Sequence, residues 1–164
     1  MIKENLKVLV DYHPFHESIN KKILKDNFNF IRNPIVDGSV SNLRAERTVE
    51  TSYSEGIQLV KEWVKNIIRI DYCSGYDYNI DAWVARYSQG DYAVEHAHIP
   101  YPFSYVYFVK TPKGSSPLVF STSGKRIKAE EGKVIIFPGS LRHHVPKNRC
   151  EGRVTIAGNV CINN

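Results

Sequence analysis

The chain has 164 residues, of which 42% are hydrophobic and 24% are charged, with three cysteines and a formal net charge of +5. This length suits one compact domain, so we assign residues 1–164 to a single domain. The scattered positive charge does not indicate a nucleic-acid partner, and three cysteines without a C-x-x-C spacing do not favour a disulfide framework or a zinc knuckle.

No segment has the pattern of a targeting or membrane-spanning element. The first residues, MIKENLKVLVDYH, carry charges and have no apolar core of signal-peptide length. No stretch approaches the ~18 uninterrupted apolar residues that a membrane span needs. We therefore expect a soluble, cytoplasmic protein with no membrane partner; a homodimer is compatible with the sequence.

Residues 1–80 are predicted to form helices and loops that pack on the remainder of the chain. A short amphipathic helix is predicted over Glu17–Phe28, in which Ile19, Ile23 and Leu24 fall at helical spacing. Just before the β-rich half, Tyr76 and Tyr78 are candidates for the rim of a pocket.

A longer helix is predicted from about Ser54 to Ile70. Ser52 and Glu55 have the spacing of a capping box, and apolar residues recur along one face of the segment. These are Ile57, Val60, Val64, Ile67 and Ile68.

From about Asp81 the sequence changes to short β-branched and aromatic runs separated by glycine, proline and polar turns. This texture is typical of a β-sandwich or a jelly roll, so we expect a mainly β fold with N-terminal helices and a jelly-roll core over 81–164. The predicted strands are Asp81–Ser88, Tyr92–His98, Phe103–Lys110, Pro117–Ser121, Lys125–Ala129, Lys133–Phe137, Arg142–Val145 and Arg153–Ile162.

Four of the six histidines form two close pairs in this half, His96-Ala97-His98 and His143-His144. Side chains two apart on a strand project from one face, so His96 and His98 can converge on one metal ion. His143 and His144 must point to opposite faces, and we choose His143 because a strand ending at Pro138 delivers the loop before it. Imidazole suits iron, zinc, copper or nickel, which leaves the metal open.

Arg153 and Thr155 form a second candidate site on the last strand. Their spacing places a guanidinium and a hydroxyl on one face of the strand. A guanidinium can donate two parallel hydrogen bonds to a carboxylate, so this pair suits an acidic ligand.

Five segments of the β half together carry a family pattern. They are Trp83-Val-Ala-Arg-Tyr87-Ser-Gln-Gly90 followed by His96, Phe103-Ser-Tyr-Val-Tyr-Phe-Val, Leu118-Val-Phe120, Phe137-Pro138 with His143, and Arg153-Val-Thr155-Ile with Asn159. This pattern resembles the 2-oxoglutarate/Fe(II)-dependent oxygenases, in particular the short prolyl-hydroxylase-like members of bacteria and phages.

The resemblance implies a hydroxylase in which 2-oxoglutarate is oxidised to succinate with dioxygen as the second small-molecule partner. It also implies Fe(II) as the metal, with a peptidyl proline or a small metabolite as candidate substrates. The implied metal ligands are His96, His98 and His143, and the implied cosubstrate contacts are Arg153, Thr155 and Tyr87.

His98 departs from the family pattern, which has aspartate or glutamate two residues after the first histidine. A neutral imidazole in this position leaves an Fe(II) site one charge unit more positive. Three interpretations remain open. The site is a working three-histidine variant, His98 is not a ligand, or the chemistry is different.

Two alternative functions remain. A cupin-type metalloenzyme that does not use 2-oxoglutarate fits Gly90 and His96-Ala-His98, but the glutamate expected after His98 is missing and Ser140 stands where glycine is expected. A non-catalytic jelly-roll binding module with a degenerate metal site is the other. The position of Arg153 relative to His143 favours the oxygenase.

Overall fold

The computed structural model describes residues 7–33, 35–36, 39–49, 51, 54–72 and 75–163. Its helices are α1 (His16–Lys25) and α2 (Glu55–Asp71). Its strands are, in chain order, β1 (Leu9–Tyr12), β2 (Phe30–Arg32), β3 (Ile35–Val36), β4 (Ser39–Val40), β5 (Leu43–Arg44), β6 (Glu46–Thr48), β7 (Tyr78–Ile80), β8 (Trp83–Tyr87), β9 (Tyr92–His96), β10 (Phe103–Lys110), β11 (Leu118–Phe120), β12 (Arg126–Ile127), β13 (Lys133–Pro138), β14 (His143–Val145) and β15 (Arg153–Ile162).

Helix α2 forms where the periodic pattern predicts it. The Ser54 hydroxyl accepts a hydrogen bond from the Ile57 backbone N–H at 3.2 Å, which caps the helix. The capping box was predicted with Ser52, which lies outside the described residues. The predicted apolar face is buried, and a side chain at Gly56 would meet Ile23 of α1 at 2.6 Å. The two helices therefore approach closely through this glycine.

Helix α1 is shorter than predicted, and only part of its predicted apolar face is buried. It ends at Lys25, because Asp26 has an extended backbone conformation. Ile19 and Ile23 are buried, but Leu24 is 49% exposed, so its predicted place on the buried face is wrong. Asn20 is buried instead and accepts a hydrogen bond from the Tyr107 hydroxyl at 2.8 Å.

Two antiparallel sheets make up most of the fold. The larger sheet has the strand order β1-β13-β10-β15-β8-β6-β2, and β7 pairs with the far end of β15. The smaller sheet has the order β12-β11-β14-β9-β5. Among the described residues, no helix is long and apolar enough to cross a membrane.

Strand β15 separates the two apolar cores of the molecule. Val154, Ile156 and Val160 belong to the core that contains the inner faces of both helices. The alternate side chains, beginning with Arg153 and Thr155, therefore point to the other face of the larger sheet. There the second core joins apolar side chains of the two sheets. The inner face of β15 thus lies towards the space between the sheets.

Each of the eight strands predicted after residue 81 is present, and β10 and β15 have the predicted bounds. In contrast, β1 to β7 all lie before residue 81, where only helices and loops were expected. These strands have four residues or fewer, too few for a clear alternating pattern. Several form by pairing with distant parts of the chain, such as β1 with β13 and β6 with β8.

Candidate metal and cosubstrate site

His96 and His143 lie side by side at neighbouring strand ends of the smaller sheet. They are direct partners in the antiparallel register of β9 and β14, with ring centroids 4.4 Å apart. His143 is 3% exposed and packs against the ring of Phe137 at 4.7 Å. His144 faces the other way, as strand alternation predicts, and its Nδ1 lies 3.3 Å from the Ser121 hydroxyl.

His98 completes a cluster of three imidazoles from a position two residues beyond β9. Its ring centroid lies 4.8 Å from that of His96 and 5.2 Å from that of His143. One ligand atom from each residue lies within 4.8 Å of the other two. This is the one group of three or more metal-ligating side chains found within the described part of the chain.

Backbone carbonyls fix the orientation of two of these rings. Nδ1 of His96 lies 2.7 Å from the Val94 carbonyl, and Nδ1 of His143 lies 2.8 Å from the Leu141 carbonyl. A carbonyl only accepts hydrogen bonds, so each Nδ1 must carry the proton. The Nε2 of both rings is then left with a lone pair, the form in which imidazole binds a metal.

The His98 backbone is anchored, but its ring is not anchored in the same way. Its N–H donates to the Gly139 carbonyl at 2.7 Å. A Cβ at Gly139 would lie 2.1 Å from the Tyr101 carbonyl oxygen, so only glycine allows this close approach. Among the described residues, no side chain or carbonyl is hydrogen-bonded to the His98 ring, whose neighbours are His96, His143 and Trp83.

The cluster keeps its imidazoles uncharged. Burial lowers the pKa of His98 to about 3, and the neighbouring rings and Arg47 act in the same direction. Burial likewise lowers the pKa of His143 to about 4 and also lowers the pKa of His96. Neutral rings need not lose a proton to bind a metal ion near neutral pH.

Arg153 is a buried cation on the inner face of the larger sheet. The residue is 1% exposed, and its Nε and Nη1 atoms have no hydrogen-bond partner. Its guanidinium lies over the ring of Tyr87 at 4.3 Å and near that of Phe108 at 5.5 Å. Burial lowers the pKa of Arg153, while its contact with Tyr87 raises it. No ion pair of Arg153 with a carboxylate occurs among the residues that the structure describes.

Tyr87 and Thr155 are the buried neighbours of Arg153 on this face of the larger sheet. Thr155 is 2% exposed and follows Arg153 on the same face of β15. Tyr87 is the direct register partner of Arg153 on β8 and is 4% exposed. Burial raises the pKa of the Tyr87 hydroxyl, and the nearby guanidinium opposes that shift. The phenol is therefore a neutral hydrogen-bonding group at neutral pH.

One cavity of about 460 Å³ extends from the imidazole cluster to Tyr87, whose ring contacts the Arg153 guanidinium. His96, His98, His143 and Tyr87 all line it. Arg153 and Thr155 do not line it but continue the row of inner-face residues on β15 that begins in the cavity with Asn159 and Ala157.

Several cavity residues were not found by sequence reasoning. Arg47 lies over the ring of Trp83 at 4.3 Å, and both line the cavity with Asp81. Arg47 lies in a segment of very short strands without a motif, so no sequence signal indicated it.

Tyr76 and Tyr78, the predicted rim residues, do not line this cavity. Tyr78 is buried in the core that contains the inner faces of the helices, so that prediction is wrong.

Asp81 and Asn159 form a polar part of the cavity wall. The Asp81 carboxylate accepts hydrogen bonds from the backbone N–H and side-chain amide of Asn159. The side-chain amide oxygen of Asn159 accepts a hydrogen bond from the Ser104 hydroxyl at 3.0 Å. Desolvation raises the pKa of Asp81, and Asn159 and Arg47 oppose that shift. The Asn159 amide is thus held in place from two sides.

No protein-family model and no curated protein sequence matches the chain. Solved structures do match. A Burkholderia pseudomallei oxidoreductase of the 2OG-Fe(II) oxygenase family superposes with a TM-score of 0.71 and 14% identity, over 96% of this chain and 86% of that one. A Pseudomonas putida prolyl-4-hydroxylase superposes with a TM-score of 0.70 and 13% identity, over 96% of this chain and 93% of that one.

The viral collagen prolyl hydroxylase of Paramecium bursaria Chlorella virus-1, solved as a 2OG complex, gives a TM-score of 0.63 and 17% identity, over 83% of this chain and 96% of that one. At these identities the likeness concerns the fold. The predicted fold class, a mainly β chain with N-terminal helices around a jelly-roll core, is confirmed.

Proposed function

We propose that this chain is a 2-oxoglutarate- and Fe(II)-dependent oxygenase that hydroxylates its substrate. The observation that carries the proposal is the buried Arg153 guanidinium, two of whose nitrogens have no hydrogen-bond partner. It lies on the inner face of the larger sheet, and the three clustered imidazoles lie in the space between the sheets. A buried cation without a carboxylate is costly, so its presence suggests that an anionic ligand completes it.

The three imidazoles fit Fe(II). His96 and His143 each present an Nε2 lone pair fixed by a backbone carbonyl, and His98 adds a third nitrogen. With three protein ligands, a bound ion would have further positions for a chelating cosubstrate and for dioxygen. We therefore assign His96, His98 and His143 as the metal ligands.

The surroundings of Arg153 fit a dicarboxylic acid. Its unpaired Nε and Nη1 atoms can donate to one carboxylate, and the hydroxyls of Thr155 and Tyr87 lie on the adjoining inner face. The Tyr87 and Phe108 rings hold the guanidinium from its faces. We assign Arg153, Thr155 and Tyr87 to the carboxylate of 2-oxoglutarate that is remote from the metal.

When bound, Fe(II) and 2-oxoglutarate supply oxygen activation and the two electrons that accompany conversion of the cosubstrate to succinate and carbon dioxide. The residues of the chain bind the metal and the cosubstrate and hold them in a fixed orientation. The clamped rings fix two metal-ligand directions, and Arg153 fixes the far end of the cosubstrate. The apolar groups between the sheets, such as Phe137 packed on His143, limit the access of water.

The substrate binds in the open part of the cavity in this proposal. Trp83, Tyr101 and Arg47 line that region together with the polar pair of Asp81 and Asn159. This combination of aromatic and polar groups suits a small metabolite or a single residue of a peptide, such as a prolyl side chain. A prolyl hydroxylase of similar fold from Trichoplax adhaerens has been solved with a hypoxia-inducible-factor peptide fragment.

The all-histidine ligand set favours a second candidate, a three-histidine metalloenzyme of cupin type that does not use 2-oxoglutarate. The absence of a carboxylate from the described imidazole cluster supports this reading. It leaves the buried Arg153 guanidinium without a role, and we therefore rank it second.

An anaerobic titration distinguishes the two functions. Fe(II)-loaded protein is titrated with 2-oxoglutarate while the visible charge-transfer band of bidentate keto-acid chelation is followed. Wild type should develop the band, and Arg153→Ala should need about tenfold or more cosubstrate to reach half-saturation. Arg126→Ala, which removes an exposed arginine from β12, is the matched control and should behave as wild type. Iron binding without any band would support the cupin-type function.

A further inference from the structure

The cavity has a polar outer part that the proposed metal and cosubstrate contacts do not use. On the inner face of β15, Arg153, Thr155, Ala157 and Asn159 follow one another at every second residue. Six residues of extended strand cover about 20 Å, and the five-carbon chain of 2-oxoglutarate is much shorter than that. A cosubstrate held by Arg153 and Thr155 therefore does not reach Asn159. The polar groups around Asn159 are left for the substrate.

This outer part contains one cationic group, the Arg47 guanidinium. Arg47 is the register partner of Ala85 on β8, and both residues line the cavity. The guanidinium lies over the ring of Trp83 at 4.3 Å, a contact that holds it against the cavity wall. The charge of Arg47 acts on both His98 and Asp81. The cation thus lies near the imidazole cluster and near the polar wall.

The same outer part contains an anionic group, the Asp81 carboxylate. It accepts hydrogen bonds from the backbone N–H and the side-chain amide of Asn159, and the Asp81 backbone N–H donates to the Asn159 carbonyl at 3.1 Å. A carboxylate has about four acceptor positions, so it can still accept a hydrogen bond from a ligand. The charges of Arg47 and Lys61 oppose the desolvation that raises the pKa of Asp81, which favours its ionised form.

Arg47 and Asp81 line one cavity but do not form an ion pair with each other within the described part of the chain. Each is held separately, the cation by Trp83 and the anion by Asn159. Two opposite charges held in this way match a ligand that carries both charges itself. A free α-amino acid has a carboxylate and an ammonium group on one carbon, whereas an internal residue of a peptide has neither.

We propose that the substrate is a free α-amino acid. Its carboxylate binds Arg47, its ammonium group binds Asp81, and its side chain points along Trp83 to the imidazole cluster. Trp83 connects the two regions, because its ring also lies 6.4 Å from that of His98. This inference rests on the proposed oxygenase function and selects a small metabolite over a residue of a peptide as the substrate.

The first test identifies the amino acid by NMR. Protein loaded with Mn(II) and 2-oxoglutarate is mixed with each proteinogenic L-amino acid in turn, because Mn(II) broadens the signals of nearby protons without turnover. At least one amino acid should be broadened more strongly at its side-chain protons than at its α-proton, since its charged end lies in the outer part of the cavity. The strongest broadening at the α-proton would indicate chelation of the metal by the amino and carboxylate groups and would overturn the proposal.

The second test measures each charge with matched ligands in calorimetry of the same loaded protein. The ligands are the identified amino acid, its amide, which lacks the carboxylate, and the corresponding acid without the amino group. Wild type should bind the amino acid about tenfold or more tightly than either derivative. Arg47→Met should lose the preference over the amide, and Asp81→Asn should lose the preference over the acid without the amino group.

The matched controls remove the same charges outside the cavity. Arg86→Met lies on the same strand as Ala85 but pairs with Glu46, and Asp77→Asn removes a carboxylate that pairs with Lys65. Both controls should keep the wild-type preferences. Preferences that persist in Arg47→Met and Asp81→Asn as well would overturn the assignment of the two charges.

The wild-type protein alone decides the substrate class, so the test does not depend on the folding of a variant. Binding of Mn(II) and 2-oxoglutarate without binding of any amino acid would overturn this inference and leave the proposed function intact. Equal affinities for the amino acid and its N-acetyl amide, which represents an internal peptide residue, would also overturn it. Failure to bind 2-oxoglutarate would overturn the proposed function together with the inference.

Discussion

The two sheets contribute opposite chemistry to the space between them. The smaller sheet provides His96 and His143, two uncharged rings with lone pairs fixed by backbone carbonyls. The larger sheet provides Arg153, a buried cation with two unpaired nitrogens. One side is prepared for a cation and the other for an anion. A ligand that chelates a metal at one end and carries a carboxylate at the other satisfies both sides at once.

The largest effect is expected from a substitution in the imidazole cluster of the smaller sheet. His143→Ala should abolish stable Fe(II) binding, with an affinity loss of about 100-fold or more, because it removes a clamped ligand from the centre of the cluster. Metal content after dialysis and calorimetric titration measure this loss. His144→Ala, one residue away on the opposite face, should retain the metal. Full iron occupancy in His143→Ala would show that the distal ligand is misassigned.

The second-largest effect distinguishes the role of Arg153 in cosubstrate binding from the role of the imidazoles in metal binding. Arg153→Met should weaken the binding of 2-oxoglutarate by about 30- to 100-fold, because the carboxylate of the cosubstrate loses a charged partner in a buried site. Its Fe(II) affinity should stay within about threefold of wild type, since Arg153 is not among the proposed ligands. Calorimetry with metal and with cosubstrate gives both numbers. A parallel loss of metal would mean that the two sides are not independent.

Arg153→Met should also stabilise the protein in the absence of ligands. Its guanidinium is buried without a carboxylate partner, and an apolar side chain of similar length does not bear that desolvation cost. We expect the free energy of unfolding to rise by about 1–2 kcal/mol in denaturant titrations of the metal-free protein. Arg126→Met on exposed β12 should change it by less than about 0.5 kcal/mol. Destabilisation by Arg153→Met would indicate a structural role for the arginine.

The smallest effect is expected at Tyr87. Tyr87→Phe keeps the ring on which the guanidinium lies and removes only the hydroxyl. We expect 2-oxoglutarate to bind about three- to tenfold more weakly, as suits one lost hydrogen bond, with unchanged iron affinity. Thr155→Val, which also removes a single hydroxyl, is a natural comparison. An effect at Tyr87 as large as that of Arg153→Met would place the main cosubstrate contact on the phenol.

The longest strands of the β half could be predicted from the sequence because they show their alternating pattern over enough residues. Strand β15 has ten residues and keeps its predicted bounds. Strand alternation also places His143 and His144 on opposite faces, and Arg153 and Thr155 on one face. These statements depend only on local backbone geometry.

The N-terminal part could not be predicted in the same way. Strand β6 has three residues and exists because it pairs with β8, about forty residues further along the chain. Arg47, which this strand delivers to the cavity, therefore carries no local signal. Leu24 follows the helical period but is exposed, because what lies against a helix face is decided by tertiary packing and not by periodicity.

The most direct test of the account compares two keto acids at the same iron centre. Calorimetry of Fe(II)-loaded wild type and Arg153→Met with 2-oxoglutarate and with 2-oxobutyrate, which lacks the remote carboxylate, isolates the contact at the far end. We expect wild type to prefer 2-oxoglutarate by about 30-fold or more, and Arg153→Met to show almost no preference. Undiminished preference in Arg153→Met would contradict the claim that the two sheets hold opposite ends of one ligand.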